Sequence, residues 1–128
     1  METKLDIKIL IVEDDELNIR MVTSFLKDSF DIEAARSGEE ALKKVIDTKY
    51  DIFLMDIGLK KEMSGLDVTN KLRKMSEYAN TPIIALTAYA LSGDREKILD
   101  AGCSHYLSKP FTKHQLLNLL EKIVNQNG

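Results

Sequence analysis

The sequence holds few of the residues that mark secreted, fibrous or membrane proteins. It has one cysteine, two prolines and two histidines in 128 residues. The lone Cys103 forms no internal disulfide, so a reducing compartment is its natural setting. Placed between Gly102 and a strand-like run, it reads as buried filler rather than as a nucleophile. No apolar stretch approaches the roughly 20 residues needed to cross a bilayer, and Met1 to Lys8 is too polar for a secretory leader. Positive charge is not in excess: 18 Lys and Arg against 21 Asp and Glu leave a net charge of -3. That balance lacks the electrostatic footprint of a nucleic-acid binder. Internal repeats, low-complexity tracts and Pro/Gly-rich linkers are missing, and so are the phosphate loops G-x-x-x-x-G-K-S/T and G-x-G-x-x-G. His105 and His114 do not stand at metal-ligand spacing, and His114 reads as a solvated residue of a helix's first turn. These absences predict a single cytoplasmic domain over residues 1–128 that contacts neither membrane nor nucleic acid directly.

What the chain does contain is 44% hydrophobic and 30% charged residues, the profile of a globular domain large enough to bury a core. Short β-prone runs occur at Lys8–Val12, Asp31–Ala34, Tyr50–Met55, Pro82–Leu86 and His105–Leu107. Ile9-Leu10-Ile11-Val12, Ile52-Phe53-Leu54-Met55 and Ile83-Ile84-Ala85-Leu86 are apolar throughout, as strands covered on both faces are. Helical spacing fills the intervals. Glu16–Lys27 turns Val22, Phe25 and Leu26 to one side. Ser37 and Glu40 form a capping-box signature ahead of Ala41, Leu42, Val45 and Ile46. Val68, Leu72 and Met75 space a third helix that Ser64 caps, and Ser92–Ala101 is a fourth, closed by Gly102. Thr112 and Gln115 repeat the capping signature before Leu116, Leu117, Leu120, Ile123 and Val124. The alternation is (βα)₅, which implies an α/β fold with a five-stranded parallel sheet and helices on both faces. The doubly wound, flavodoxin-like strand order 2-1-3-4-5 suits this length, and it places ligands beyond the carboxyl ends of the strands.

Those ends carry the chemistry. The first strand runs into Glu13-Asp14-Asp15, the third ends in Asp56, the fourth in Thr87, and the fifth runs into Lys109-Pro110. Any one of these alone is an ordinary polar loop residue, but the fold collects all of them on one rim. Crowded carboxylates repel, and an oxygen-only donor set suits a hard divalent cation such as Mg²⁺. An aspartate can also act as the nucleophile in phosphoryl transfer, with a lysine and a metal neutralising the charge that gathers on the moving group.

Ile11-Val12-Glu13-Asp14-Asp15, Leu54-Met55-Asp56-Ile57, Leu86-Thr87-Ala88 and Leu107-Ser108-Lys109-Pro110-Phe111 together resemble the motifs of bacterial response-regulator receiver domains, in order and over essentially the whole chain. The stretch from Thr87 through Cys103 is similar, more narrowly, to DivK-type single-domain regulators and to receivers of hybrid histidine kinases. The resemblance implies that Asp56 is the phosphoacceptor and Asp14 a direct Mg²⁺ ligand. It implies that Glu13 acts mainly through a metal-bound water and that Gly58 offers its backbone carbonyl to the metal. Lys109 and Thr87 then contact the phosphoryl group, small Ala88 leaves it approachable, and Tyr106 reports the state of the site. Bulky Tyr89 opposes Ala88 by covering the site, while Asp15 stays outside the metal's ligands. The partners implied are a histidine kinase or histidine phosphotransfer protein as donor and a downstream protein effector, with no output domain in the chain.

The segment after Asp56 departs from the family pattern. A proline usually stands four residues after the acceptor and a glycine eight after it; here Lys60 takes the first place and Gly65 arrives one residue late. The loop Gly58–Ser64 is therefore expected to be longer and looser. Two other readings compete with the switch. A haloacid-dehalogenase-like phosphohydrolase needs a second acid two residues after its nucleophile, where this chain has Gly58. A receiver-like adaptor that never carries phosphate does not need the full set of acids, Thr87 and Lys109. The switch reading predicts no enzyme activity beyond the protein's own phosphorylation and dephosphorylation.

Overall fold

The computed structural model describes residues 6–59, 63–88 and 94–127. Five strands, β1 (Lys8–Val12), β2 (Asp31–Ala35), β3 (Ile52–Asp56), β4 (Ile83–Thr87) and β5 (His105–Ser108), alternate with α1 (Glu16–Leu26), α2 (Gly38–Asp47), α3 (Gly65–Arg73), α4 (Asp94–Asp100) and α5 (Lys113–Asn127). A 3₁₀ turn, Ser76–Tyr78, follows α3. All strand pairs are parallel and the order is β2-β1-β3-β4-β5, the expected doubly wound arrangement. Each strand matches its sequence reading to within two residues.

Strand side chains alternate between faces, and the three central strands therefore feed two separate cores. Leu10, Val12, Phe53, Met55, Ile83 and Ala85 meet Ala41 and Val45 of α2, Val68 and Leu72 of α3, and Ile98 of α4. Ile9, Ile11, Ile52, Leu54, Ile84 and Leu86 meet Val22 and Leu26 of α1 and Leu116, Leu120 and Ile123 of α5. This double coverage explains why these strands are apolar at every position. Cys103 is buried in the first core with its Sγ 3.7 Å from Thr69 Oγ1, and burial pushes its thiol pKa up. It is filler, as expected.

Capping sets where the helices begin. Asp15 accepts from the Leu17 N–H at 3.0 Å at the start of α1. Ser64 and Asp67 form a complete reciprocal box on α3, and Thr112 and Gln115 form one before α5. The signature at Ser37 is only half realised. Ser37 Oγ accepts from the Glu40 N–H at 3.1 Å, but the Glu40 carboxylate takes the Arg36 N–H at 2.7 Å instead of that of Ser37. Ile46 also departs from its expected core position. It is 78% exposed, because the inward stripe of α2 passes through Ala41 and Val45 and leaves Ile46 a further 100° around the helix.

Gly102 ends α4 at φ +115, a left-handed conformation that favours glycine. A Cβ there would also lie 2.7 Å from Arg73 Cγ, since the Arg73 side chain lies over this turn. Arg73 donates to the carbonyls of Gly102 at 2.8 Å and Tyr78 at 2.7 Å, joining α3, the 3₁₀ turn and the approach to β5.

Candidate functional site

The ladder of the sheet carries the strand-end residues to one rim. Backbone bonds extend just past the strands: the Glu13 N–H donates to Ala35 O at 2.9 Å, Ile57 to Leu86 O at 3.1 Å and Lys109 to Thr87 O at 2.8 Å. Glu13, Asp14, Asp56, Gly58 and Lys109 consequently line one cavity of about 380 Å³. One carboxylate oxygen from each of Glu13, Asp14 and Asp56 lies within 4.8 Å of the others.

Asp56 forms the floor, at 4% exposure. Its Oδ1 accepts from Lys109 Nζ at 3.0 Å and from the Gly58 N–H at 2.9 Å. Glu13, at 2% exposure, lies beside it; its Oε1 is 3.7 Å from Lys109 Nζ, and its Oε2 accepts from the Asp15 N–H at 3.2 Å. One lysine thus serves two buried acids, with Asp14 close by. Burial, then the adjoining Asp56 carboxylate, pushes the Glu13 pKa up to about 7 from an ordinary 4.5, against the opposing pull of the Asp15 N–H and Lys109. An all-oxygen cluster with more negative charge than its lysine neutralises is the donor set a hard divalent cation satisfies, so Glu13, Asp14 and Asp56 fit Mg²⁺. Gly58 stands at the same cavity.

Thr87, Ala88 and Tyr106 are not among the residues that line this cavity. Thr87 is buried at the end of β4, next to Leu86, the strand partner of Asp56. Ala88 is exposed and lines a neighbouring apolar groove of about 390 Å³ with Met21, Val22, Leu86 and Phe111. Tyr106 stands opposite Ala85 on β5, half-buried against the first core, with the Arg95 guanidinium of α4 5.1 Å from its ring centroid. Asp15 lines the cavity, but its carboxylate caps α1. Tyr89, Lys60 and the expected start of the fourth helix at Ser92 lie outside the described residues.

The ends of the segment expected to be loose are anchored. Leu59 is buried in the first core, Met63 packs against the same core, and a Cβ on Gly65 would lie 2.3 Å from the Asp56 carbonyl oxygen. Although one residue late, this glycine lets the start of α3 close on the backbone of the acid. Sequence reasoning missed Asn18, which lines both the acidic cavity and the apolar groove. Its only sequence signal is its place in the first helical turn, four residues after Asp14.

Comparison with known proteins agrees with this fold. Residues 9–121 match the family model described as the response regulator receiver domain. The chain is 39% identical over 114 residues to the polar-differentiation response regulator DivK of Brucella ovis, covering 88% of this chain and 92% of that protein. It is 34% identical over 120 residues to the signal transduction histidine-protein kinase BarA of Escherichia coli, covering 93% of this chain but only 13% of the kinase. The receiver domain of the sensor histidine kinase PA1611 from Pseudomonas aeruginosa superposes with a TM-score of 0.84 at 34% identity, over 92% of this chain and 97% of that one. That structure has a magnesium ion coordinated in its active-site cleft.

Proposed function

The chain belongs to the response regulator receiver domain family, and from that premise we propose that it accepts a phosphoryl group on Asp56 from a histidine kinase or histidine phosphotransfer protein. The observation that carries this reading is the position of Asp56: a buried carboxylate at the floor of an open cavity, held by Lys109 at 3.0 Å and crowded by Glu13 and Asp14.

The Asp56 carboxylate attacks phosphorus as the bond from phosphorus to the donor's nitrogen breaks. Lys109 balances the charge on the phosphoryl oxygens, and the Gly58 N–H and Lys109 together fix the Asp56 carboxylate before attack. Asp14, Asp56 and the Gly58 carbonyl would hold Mg²⁺, with Glu13 beside them, and the metal would supply neutralisation of the charge on the transferring phosphoryl group. Thr87, one residue beyond the strand partner of Asp56, hydrogen-bonds a phosphoryl oxygen. Ala88 keeps the entrance open. Movement of Thr87 and Tyr106 then alters the α4–β5–α5 face, which a downstream protein effector reads. A change from mostly inactive to mostly active requires a bias of roughly 5 kcal/mol. The protein's chemistry is confined to its own phosphorylation and dephosphorylation, and its place of action is the cytoplasm.

The test is incubation with Mg²⁺ and acetyl phosphate, followed by intact-mass measurement beside Asp56→Asn. One added phosphoryl group, absent from the variant, is the expected result. Sustained turnover of unrelated phosphate esters would instead identify a phosphohydrolase, and no labelling by any donor would leave an adaptor.

A further inference from the structure

The acidic cavity and the apolar groove share a seam, and among the described residues three line both: Glu13, Asn18 and Lys109. Two of these are already engaged. Lys109 pairs with Asp56 and Glu13, and Glu13 also accepts from the Asp15 N–H. Asn18 is half-buried in the first turn of α1, and its carboxamide makes no hydrogen bond to any of the described residues. It is also the only side chain of the three that does not ionise. A carboxamide offers both a donor and an acceptor without adding charge beside three carboxylates.

In phosphoryl transfer the attacking and departing atoms stand roughly in line through phosphorus. Asp56, at 4% exposure, and half-buried Asn18 line the same cavity, so an atom opposite Asp56 across phosphorus would lie in the space that Asn18 borders. Resting on the reading of Asp56 as phosphoacceptor, the geometry points to Asn18 as the residue that hydrogen-bonds whatever occupies that opposite position. On phosphorylation, an Asp56 oxygen bonds to phosphorus, the bond from phosphorus to the donor's nitrogen or oxygen breaks, and the departing atom keeps the electron pair. The Asn18 N–H donates to that pair. On hydrolysis a water oxygen enters the same place and bonds to phosphorus. The bond from phosphorus to Asp56 breaks, the aspartate leaves as a carboxylate, and the water's protons go to the phosphate product and solvent. The Asn18 carbonyl accepts from that water. Asn18 thus acts on both the loading and the loss of the phosphoryl group while leaving the metal's ligands untouched.

The test uses Asn18→Leu, which removes donor and acceptor, and Asn18→Asp, which keeps an acceptor but cannot donate when ionised. Each is compared with the wild type for the rate of Asp56 labelling by acetyl phosphate and by phosphoramidate in saturating Mg²⁺. The rate of phosphate release after donor removal and the Mg²⁺ concentration for half-maximal labelling are read as well. Losing one hydrogen bond predicts that Asn18→Leu slows both labelling and release by about threefold to tenfold, with the Mg²⁺ midpoint unchanged. Asn18→Asp is expected to slow labelling by more than it slows release. Circular dichroism melting identifies a variant whose fold has changed, and the other variant then carries the test through its own ratio of labelling to release. Unchanged rates in a folded variant, or a shift in the Mg²⁺ midpoint alone, overturn the role of Asn18 while leaving Asp56 labelling intact. A wild type that takes no phosphoryl group overturns both readings.

Discussion

Replacing Glu13 by Gln is predicted to stabilise the metal-free protein at pH 8. Folded Glu13 holds its proton up to about pH 7, whereas an unfolded carboxyl releases it near 4.5. Between those values the folded chain binds more protons than the unfolded chain, so stability falls as pH rises through the window. Below the window both states are protonated and the effect vanishes; above it the whole penalty is present. A separation of that size corresponds to about 3 kcal/mol as an upper bound. Glu13→Gln keeps an oxygen for the Asp15 N–H but abolishes the buried charge, and a gain of about 1–3 kcal/mol at pH 8 is expected. Half-buried His105 has the opposite slope, since burial lowers its pKa below 6.5 and stability attributed to it rises with pH. It is present in both proteins, so their difference isolates Glu13.

The assay is urea unfolding followed by circular dichroism at pH 5, 6, 7 and 8, in EDTA and in excess Mg²⁺. With a urea slope of about 1–3 kcal/mol/M, the variant's midpoint at pH 8 in EDTA should exceed the wild type's by about 1 M, and the gap should narrow toward pH 5. Mg²⁺ at a hundred times its dissociation constant adds about 2.7 kcal/mol to the wild type and less to the variant. A variant less stable than the wild type at pH 8 in EDTA, or a gap independent of pH, would refute the claim that Glu13 is a crowded, desolvated carboxylate.

Three further outcomes follow from the packing. Lys109→Ala removes the cation that contacts Asp56 at 3.0 Å and Glu13 at 3.7 Å; labelling by acetyl phosphate should fall by about a hundredfold, and the Glu13 pKa should rise further, readable by carboxyl NMR titration. Gly65→Ala places a methyl 2.3 Å from the Asp56 carbonyl oxygen; a loss of about 1–3 kcal/mol in urea unfolding should accompany slower labelling, because the acid's backbone must move. Tyr50→Phe deletes the hydroxyl that donates to Glu33 at 2.7 Å before the start of β3; about 1 kcal/mol should be lost, with labelling unchanged because the site lies at the other edge of the sheet.

Much of the fold follows directly from the linear chain. Runs such as Ile52-Phe53-Leu54-Met55 are apolar at every position because the parallel strand has a core on each face, and a hydrophobic strand that ends in Asp56 announces its own rim. The caps at Ser64 and Thr112 are short-range hydrogen-bonding patterns and were legible for that reason. Longer-range geometry decided the rest. Glu40 bonds Arg36 rather than completing the box at Ser37, and Ile46 stays in solvent, because the surroundings of α2 choose among neighbours that local patterning treats alike. Which acid bears the raised pKa depends on burial and on the approach of Asp56 and Lys109, which lie 43 and 96 residues from Glu13. Asn18 looks like any polar residue of an exposed helical turn until α1 packs beside the ends of β3 and β5 and two cavities meet across it. The sequence by itself determined which groups reach the rim of the sheet, through strand periodicity and order. Only tertiary structure decided how those groups divide charge, hydrogen bonds and solvent, since those depend on distances between residues far apart in the chain.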